Sequence, residues 1–239
     1  MIYVTSDIHG NKERYQSLMS KINLKSDDTL YILGDVIDRH PDGIKILLEI
    51  MDSENIKMLL GNHEYMMRNA LLVDYDETIV EDPNCIDLWY NNGGRVTHKA
   101  FKEQPLKVQR RILRFLNQLP VNIDLDVNGN RFKLVHATSL TKYSYYKRNS
   151  WYGDRYFDKI EYAVWQRWYR GDSKPRNYSM IFGHTPTCHY QKNNPMKIYR
   201  NGRIIGIDCG CGFPMKDYRG PRLACLRLDD MAEFYSEIF

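Results

Sequence analysis

No stretch of the chain approaches the roughly 18 uninterrupted apolar residues of a membrane-spanning helix. The chain opens on the strand-like run Ile2-Tyr3-Val4, not on a basic segment followed by a hydrophobic region. Secretion and membrane insertion are therefore not expected, and the cytoplasm is the expected compartment. Internal repeats and low-complexity linkers are also missing, so the 239 residues read as one domain over 1–239 with ample length to bury a core. Cysteine is scarce and odd in number. The five thiols, at 85, 188, 209, 211 and 225, read as reduced and mostly buried, not as a disulfide framework. The single close pair Cys209-Gly210-Cys211 is too little for a redox or metal motif. Charge of one sign is not in large excess: the net charge is +4 and the sequence pI about 8.7. That balance gives mild attraction for anions but no expectation of stable nucleic-acid binding, since small basic groups at Arg110-Arg111-Arg114 and 142–148 stand in an otherwise spread distribution.

What the chain does have is five short polar islands: Asp7-Ile8-His9-Gly10, Gly34-Asp35-Val36-Ile37-Asp38-Arg39, Gly61-Asn62-His63-Glu64, Val135-His136-Ala137 and Gly183-His184-Thr185. Each follows an apolar run of strand character: Ile2 to Val4, Thr29 to Leu33, Ile56 to Leu60, Phe132 to Val135, and Met180 to Phe182. Ligands of open α/β sheets gather at the carboxyl ends of strands, so islands that span residues 7 to 184 can converge on one cleft. Taken singly, each island reads equally as a turn or a helix cap. Five together, each rich in Asp, Asn or His, point to a site.

The ligand types are oxygen and nitrogen. Mixed carboxylate, carboxamide and imidazole donors suit divalent Mn, Fe or Zn, and no cysteine within the islands biases the set toward softer metals. Two such ions roughly 3.5 to 4 Å apart can clamp a phosphoryl group, lower the pKa of a bound water and stabilise attacking and leaving oxygens.

The ordered set Asp-x-His, Gly-Asp-x-x-Asp-Arg, Gly-Asn-His-Glu, His and Gly-His resembles the calcineurin-like metallophosphoesterase superfamily. The complete second and third motifs resemble the phosphoprotein phosphatase branch and its small bacterial and phage serine/threonine phosphatases, a group that also holds symmetrical dinucleoside tetraphosphate hydrolases. The resemblance implies two divalent ions, Mn²⁺ foremost. It places Asp7 and His9 on the first ion, Asp35 between both, and Asn62, His136 and His184 on the second. A bridging position suits a carboxylate, which offers two oxygens and a negative charge. His63 would protonate the leaving group, with Asp38 orienting its imidazole. Arg39, Asn62 and Arg167 would contact the substrate phosphate, the last by likeness of Ala163-Val164-Trp165-Gln166-Arg167 to a helical Leu-Leu-Trp-x-Arg stretch. An arginine among aromatics also serves simply to cover core edges.

Three departures from the family pattern stand out. His40-Pro41 replaces Gly-Pro after Arg39, Leu60 replaces an arginine usual in eukaryotic protein phosphatases, and Ser6 replaces a common glycine. His40 reads as a loop residue beside the cleft, with a rim or ligand role as the alternative. His98 and His189, outside any motif, read as structural or surface groups.

Residues 74–118 read as a mostly helical insertion over one side of the cleft, broken at Asn91-Asn92-Gly93-Gly94. Residues 138–158 read as a loop in which Tyr143, Tyr145, Tyr146, Trp151, Tyr152 and Tyr156 interleave with Lys142, Lys147 and Arg148. Such a loop either pins itself by its rings or binds bases and phosphates. Met196 to Tyr199 and Arg203 to Ile207 flank the hairpin signal Asn201-Gly202, and Leu223 to Leu228 with Ala232 to Tyr235 form a second hairpin. The expected fold is a four-layer α/β/β/α sandwich of two mixed sheets flanked by helices, with a helical cap insertion. The expected activity is phosphomonoester hydrolysis, in which a hydroxide held by the ions attacks phosphorus and His63 is the acid. Phosphoserine or phosphothreonine in a protein or peptide is the first substrate class, with phosphotyrosine open. A dinucleoside polyphosphate such as diadenosine tetraphosphate is the alternative, and a non-catalytic metal-binding scaffold the third. The sequence does not specify an oligomeric state.

Overall fold

The computed structural model describes residues 1–144, 147, 156, 158–193, 195–214 and 220–238. The first half of the chain alternates strand and helix: β1 (Ile2–Thr5), α1 (Lys12–Ile22), β2 (Thr29–Ile32), α2 (Gly43–Asp52), β3 (Ile56–Met58) and α3 (Asn62–Ala70). The helices form where apolar residues recur at helical spacing. In α1 the residues Tyr15, Leu18 and Ile22 are buried, Asn11 caps the first turn by accepting from the Arg14 N–H, and Asn23 ends it at a left-handed φ of 46°. In α2 the buried set is Ile44, Ile46, Leu47 and Ile50.

The insertion follows as β4 (Leu71–Val73), β5 (Ile79–Glu81), α4 (Pro83–Asn91), α5 (Arg95–Lys102) and α6 (Leu106–Gln118). It thus begins with a two-stranded hairpin, Leu72 opposite Val80, which the helical reading of this region did not anticipate. Its runs of three residues are too short to show a period of two. Asp82 caps α4 with Pro83 in its first turn, and the expected break falls between α4 and α5.

The remainder comprises β6 (Asn122–Val127), β7 (Asn130–Val135), α7 (Lys159–Trp165), β8 (Ser179–Phe182), β9 (Tyr199–Asn201), β10 (Ile204–Gly206), β11 (Ala224–Arg227) and β12 (Glu233–Tyr235). The strand β6, with the turn Asn128-Gly129, is an addition to the expected set. The stretch Met196 to Ile198 lies outside β9, which begins at Tyr199. Most of the tyrosine-rich segment, including Tyr145, Tyr146, Arg148, Trp151 and Tyr152, lies outside the described residues. Tyr143 and Tyr156 both pack on Tyr162 of α7, with ring centroids 5.4 and 5.6 Å away.

Two mixed five-stranded sheets result, in the orders β12-β11-β1-β2-β3 and β6-β7-β8-β10-β9. They are flanked by helices, as the sandwich expectation requires. Side-chain alternation divides the core. Tyr3, Leu30, Ile32 and Cys225 face the helices, whereas Val4, Ala224 and Leu226 face Leu134, Ile181 and Ile205 of the other sheet. The outer face of the second sheet is covered by a ring cluster of Trp168, Phe182, Tyr190 and Tyr199. Among the described residues, no helix is long and apolar enough to cross a membrane.

Strands β1, β2 and β3 are parallel to one another, as are β7, β8 and β10, so each trio delivers its carboxyl ends together. The ends meet closely. Gly34 has a φ of +100°, and a Cβ there would lie 2.5 Å from the Gly61 nitrogen. Gly34→Ala should therefore reduce the unfolding free energy by more than about 2 kcal/mol, whereas Gly202→Ala, at φ +63° with no atom within 4 Å, should cost only about 1 kcal/mol. Urea unfolding of both variants beside the parent checks the contrast, and equal losses would contradict it.

Candidate active site

The expected metal ligands and His63 sit past the carboxyl ends of strands or in the first turn of a helix. Asp7 and His9 follow β1, Asp35 follows β2, Asn62 and His63 open α3, His136 follows β7, and His184 follows β8. The chain turns abruptly to present them: Asp7, His9, Asp35, Asp38, Arg39 and His184 all hold left-handed φ values between 51° and 73°. Such conformations cost non-glycine residues of order 1–3 kcal/mol each and gather where function requires an exact direction.

The structure brings Asp7, His9, Asp35, Asn62, His136 and His184 into one cluster, with all but His184 fully buried. Asp35 stands at its centre. Its Oδ2 lies 3.8 Å from His9 Nε2 and its Oδ1 3.5 Å from His136 Nε2, so the two oxygens face two groups of donors. Asp7 Oδ1 lies 3.9 Å from His9 Nε2 on the first side. On the second, Asn62 Oδ1 lies 2.9 Å from His136 Nε2 and 2.8 Å from His184 Nδ1.

The protonation of these rings follows from their partners. His9 Nδ1 donates to the Ile37 carbonyl, His136 Nδ1 to that of Leu33 and His184 Nε2 to that of Trp165. These bonds turn the second nitrogen of each ring inward. Burial pushes His9 and His184 well below the usual histidine range, helped by neighbouring Arg39 for the first and His136 for the second. Asn62 Oδ1 thus meets the inward nitrogens of His136 and His184 at one point. Burial and the Asp35 charge meanwhile raise Asp7 to about 6. This donor set fits a pair of divalent cations, which would offset the crowded carboxylates and engage the converging oxygens and nitrogens.

His63 stands beside the cluster with a different pattern. Its Nδ1 donates to Asp38 Oδ2 at 2.6 Å, while its Nε2 lies 3.8 Å from Asp35 Oδ2 and 3.4 Å from Arg39 Nη2. Burial opposes its charged form, but the Asp35 charge and the Asp38 hydrogen bond outweigh it and hold the imidazole above its usual range. The Arg39 guanidinium is exposed and lies over the Phe213 ring, 5.3 Å from its centroid.

Several residues at the site carried no chemical signal in the sequence. Glu64 is fully buried, and its carboxylate accepts the N–H groups of Asp35, Val36, Ile37 and Gly61. Burial, followed by the Asp35 charge, raises it to about 7. Trp89 Nε1 donates to Asp38 Oδ2 at 2.9 Å, and Thr97 Oγ1 accepts the Asp38 N–H at 2.9 Å. Ser6 Oγ donates to Asp7 Oδ2. Asp208 is buried nearby, and burial with the Asp7 charge raises it well above the carboxylate range. Only Glu64, inside a motif, was within reach of sequence reasoning, as a helix cap.

Arg167 requires a correction. Helix α7 ends at Trp165 and Gln166 is extended, so Arg167 lies beyond the helix, exposed on the rim of a groove shared with His184. Beyond the helix end Trp168 is buried in the ring cluster on the second sheet, and Arg167 before it is left exposed. After Ile37 the left-handed residues are Asp38 and Arg39, while the His40 N–H donates to the carbonyls of His9 and Asp38. His98 is buried against Tyr90, 2.6 Å from its hydroxyl, and His189 is exposed. The Cys209 to Gly212 strand exit runs beside His9, since a Cβ on Gly212 would lie 2.5 Å from that ring. Burial raises both thiols, and Cys211 donates to the Ile8 carbonyl.

A family model described as calcineurin-like phosphoesterase matches residues 1–206. The chain is 24% identical to a symmetrical bis(5'-nucleosyl)-tetraphosphatase of Wigglesworthia glossinidia brevipalpis, over 87% of this chain and 91% of that protein. A metallophosphoesterase from Sphaerobacter thermophilus shares the fold at a TM-score of 0.55 and 15% identity, covering 100% of this chain and 88% of that one. A protein serine/threonine phosphatase from Saccharomyces cerevisiae does so at a TM-score of 0.55 and 13% identity, over 100% and 80%.

Because the Asp35 oxygens face both donor groups, Asp35→Asn should lower the content of both metal sites after reconstitution with Mn²⁺. Elemental analysis of the dialysed protein checks this, and full loading in the variant would remove Asp35 from the shared position.

Proposed function

The chain belongs to the calcineurin-like phosphoesterase family, and from that premise we propose that it hydrolyses phosphate esters or anhydrides with two divalent ions, His63 as general acid and Arg39 as the phosphate clamp. The observation that carries this reading is the pair His63 and Asp38. Asp38 holds Nδ1 of the imidazole at 2.6 Å, which leaves Nε2 directed to the edge of the donor cluster, 3.8 Å from Asp35 Oδ2 and facing the Arg39 guanidinium. His63 Nε2 also lies close enough to Asp35 for a ligand role. The Arg39 guanidinium at 3.4 Å disfavours a further cation there; it also opposes the protonated ring, which the Asp35 charge and the Asp38 hydrogen bond nevertheless hold above its usual range.

Asp7 and His9 would hold the first ion, Asp35 both, and Asn62, His136 and His184 the second, with Mn²⁺ the activator we favour. Bound there, the ions supply Lewis-acid charge to phosphoryl oxygens and lower the pKa of a water. Arg39 binds phosphate oxygens through its planar fork and orients the phosphorus toward the cluster, with Arg167 reaching in from the rim. His63 releases its Nε2 proton to the departing oxygen, and the Asp38 carboxylate keeps the ring in the tautomer that allows it.

For substrate class we favour a dinucleoside polyphosphate. A groove of about 550 Å³ runs from His184 past Arg167, lined by Trp165, Tyr169, Tyr156 and Leu88, and Tyr169 is 56% exposed within it. Rings flanking an arginine suit a base and its phosphates. The tetraphosphatase named among the relatives supports the same reading, since the match extends along most of both chains. A phosphorylated protein side chain is the second reading, since the complete Gly-Asp-Val-Ile-Asp-Arg and Gly-Asn-His-Glu runs are compatible with either substrate class.

Comparison of kcat/KM on Mn²⁺-reconstituted protein for diadenosine tetraphosphate, a phosphothreonine peptide and a phosphotyrosine peptide separates the classes, with the dinucleotide expected to lead. Preference for either peptide would transfer the assignment to protein substrates. Tyr169→Ala should raise KM for the dinucleotide by about tenfold while leaving p-nitrophenyl phosphate unaffected. His63→Asn should retain its metals and lose about 10²- to 10⁴-fold in turnover on substrates with poor leaving groups. Undiminished turnover in that variant would take His63 out of the mechanism.

A further inference from the structure

The insertion between the third and fourth islands does more than cover the cleft. Asp38 and Arg39, consecutive non-glycine residues, hold φ values of 73° and 70°. Isolated strain of that kind is of order 1–3 kcal/mol per residue and persists only when surrounding contacts over-determine it. The contacts come from three points on the insertion. Trp89 of α4 donates its indole N–H to Asp38 Oδ2, Thr97 of α5 accepts the Asp38 N–H, and the Gly93 carbonyl between the two helices accepts the Arg39 N–H at 3.2 Å. Trp89 and Thr97 are both buried. The break between the helices fits this grip closely: a Cβ on Gly94 would lie 2.4 Å from the Trp89 indole, and one on Gly93 would lie 3.1 Å from Arg39 Cγ.

We propose that Trp89, with Thr97 behind it, is a positioning residue for the general acid. One oxygen of Asp38 takes both donors: Oδ2 receives His63 Nδ1–H at 2.6 Å and Trp89 Nε1–H at 2.9 Å. The other, Oδ1, is buried without a hydrogen-bond partner among the described residues. Of these side-chain donors to the carboxylate, only Trp89 lies outside the acid itself. Without the indole, Asp38 is free to turn about its terminal torsion, and His63 loses the fixed partner that aims Nε2 at the leaving oxygen. The contribution falls on the proton-transfer step alone, so it depends on how much the leaving group needs a proton.

The inference rests on the acid role of His63, and the test separates the two. Trp89→Phe removes the N–H and keeps most of the ring. Its kcat on phenyl phosphate, whose phenolate leaves poorly, should fall about tenfold, while kcat on p-nitrophenyl phosphate, whose leaving group needs little protonation, should change less than about twofold. Thr97→Val should show the same bias and serves as the second variant if loss of the indole impairs folding. His63→Asn should show the bias more strongly. Adding Trp89→Phe to it should cause no further loss on phenyl phosphate, because the two act as a unit. Equal losses on both substrates in Trp89→Phe, or a further loss in the double variant, would overturn the positioning role while the acid assignment stands. Absence of bias in His63→Asn would overturn the acid assignment itself.

Discussion

Main-chain N–H groups of Asp35, Val36, Ile37 and Gly61 all point at the carboxylate of one buried residue, Glu64. This contact ties the exit of β2 to the start of α3, and most of the site depends on it. Asp35 and Asp38 come from the first segment, Asn62 and His63 from the second. Hydrogen bonds to a charged acceptor contribute about 1.5–3 kcal/mol each, and a buried carboxylate without them would be strongly destabilising. The same motif that reads as a helix cap is therefore also the brace that brings Asp35 Oδ1 within 3.0 Å of the His63 N–H.

A second constraint is the lack of space where the strand ends meet. A Cβ on Gly61 would lie 2.3 Å from Asp35 Oδ1, and one on Gly183 2.2 Å from Asp7 Oδ2. Glycine at these places lets main chain approach the carboxylates directly, and the His184 N–H then donates to Asp7. The left-handed residues Asp7, His9, Asp35 and His184 are the counterpart of that crowding. Strain, close approach and the inward nitrogens form one arrangement, in which a cation is the natural partner of the converging donors.

The two sheets contribute unequally. The first supplies Asp7, His9, Asp35, Asn62 and the dyad; the second supplies His136 and His184 and the rim with Trp165, Arg167 and Tyr169. The bond from His136 Nδ1 to the Leu33 carbonyl joins the sheets and also sets the ring tautomer. The donor cluster thus sits mainly on one sheet, while the groove with Trp165, Arg167 and Tyr169 borders the other.

The sequence by itself determined what is local. Strand runs, the polar islands at their ends, the helices of the insertion with their Asn-Gly-Gly break and the hairpin at Asn201-Gly202 are all written in hydrophobic period and turn chemistry. Residue types at the islands were enough to suggest oxygen and nitrogen ligands, and the family resemblance of the ordered motifs to suggest an imidazole acid. Only the tertiary structure decided what rests on side chains meeting the chain far away. Trp89 reaches Asp38 across 51 residues and His136 reaches Leu33 across 103. It also stopped α7 before Arg167, because Trp168 packs into the outer ring cluster instead of continuing the helix. A hydrogen bond between distant segments leaves no periodic trace in either one, so these contacts become visible only when packing has brought the segments together.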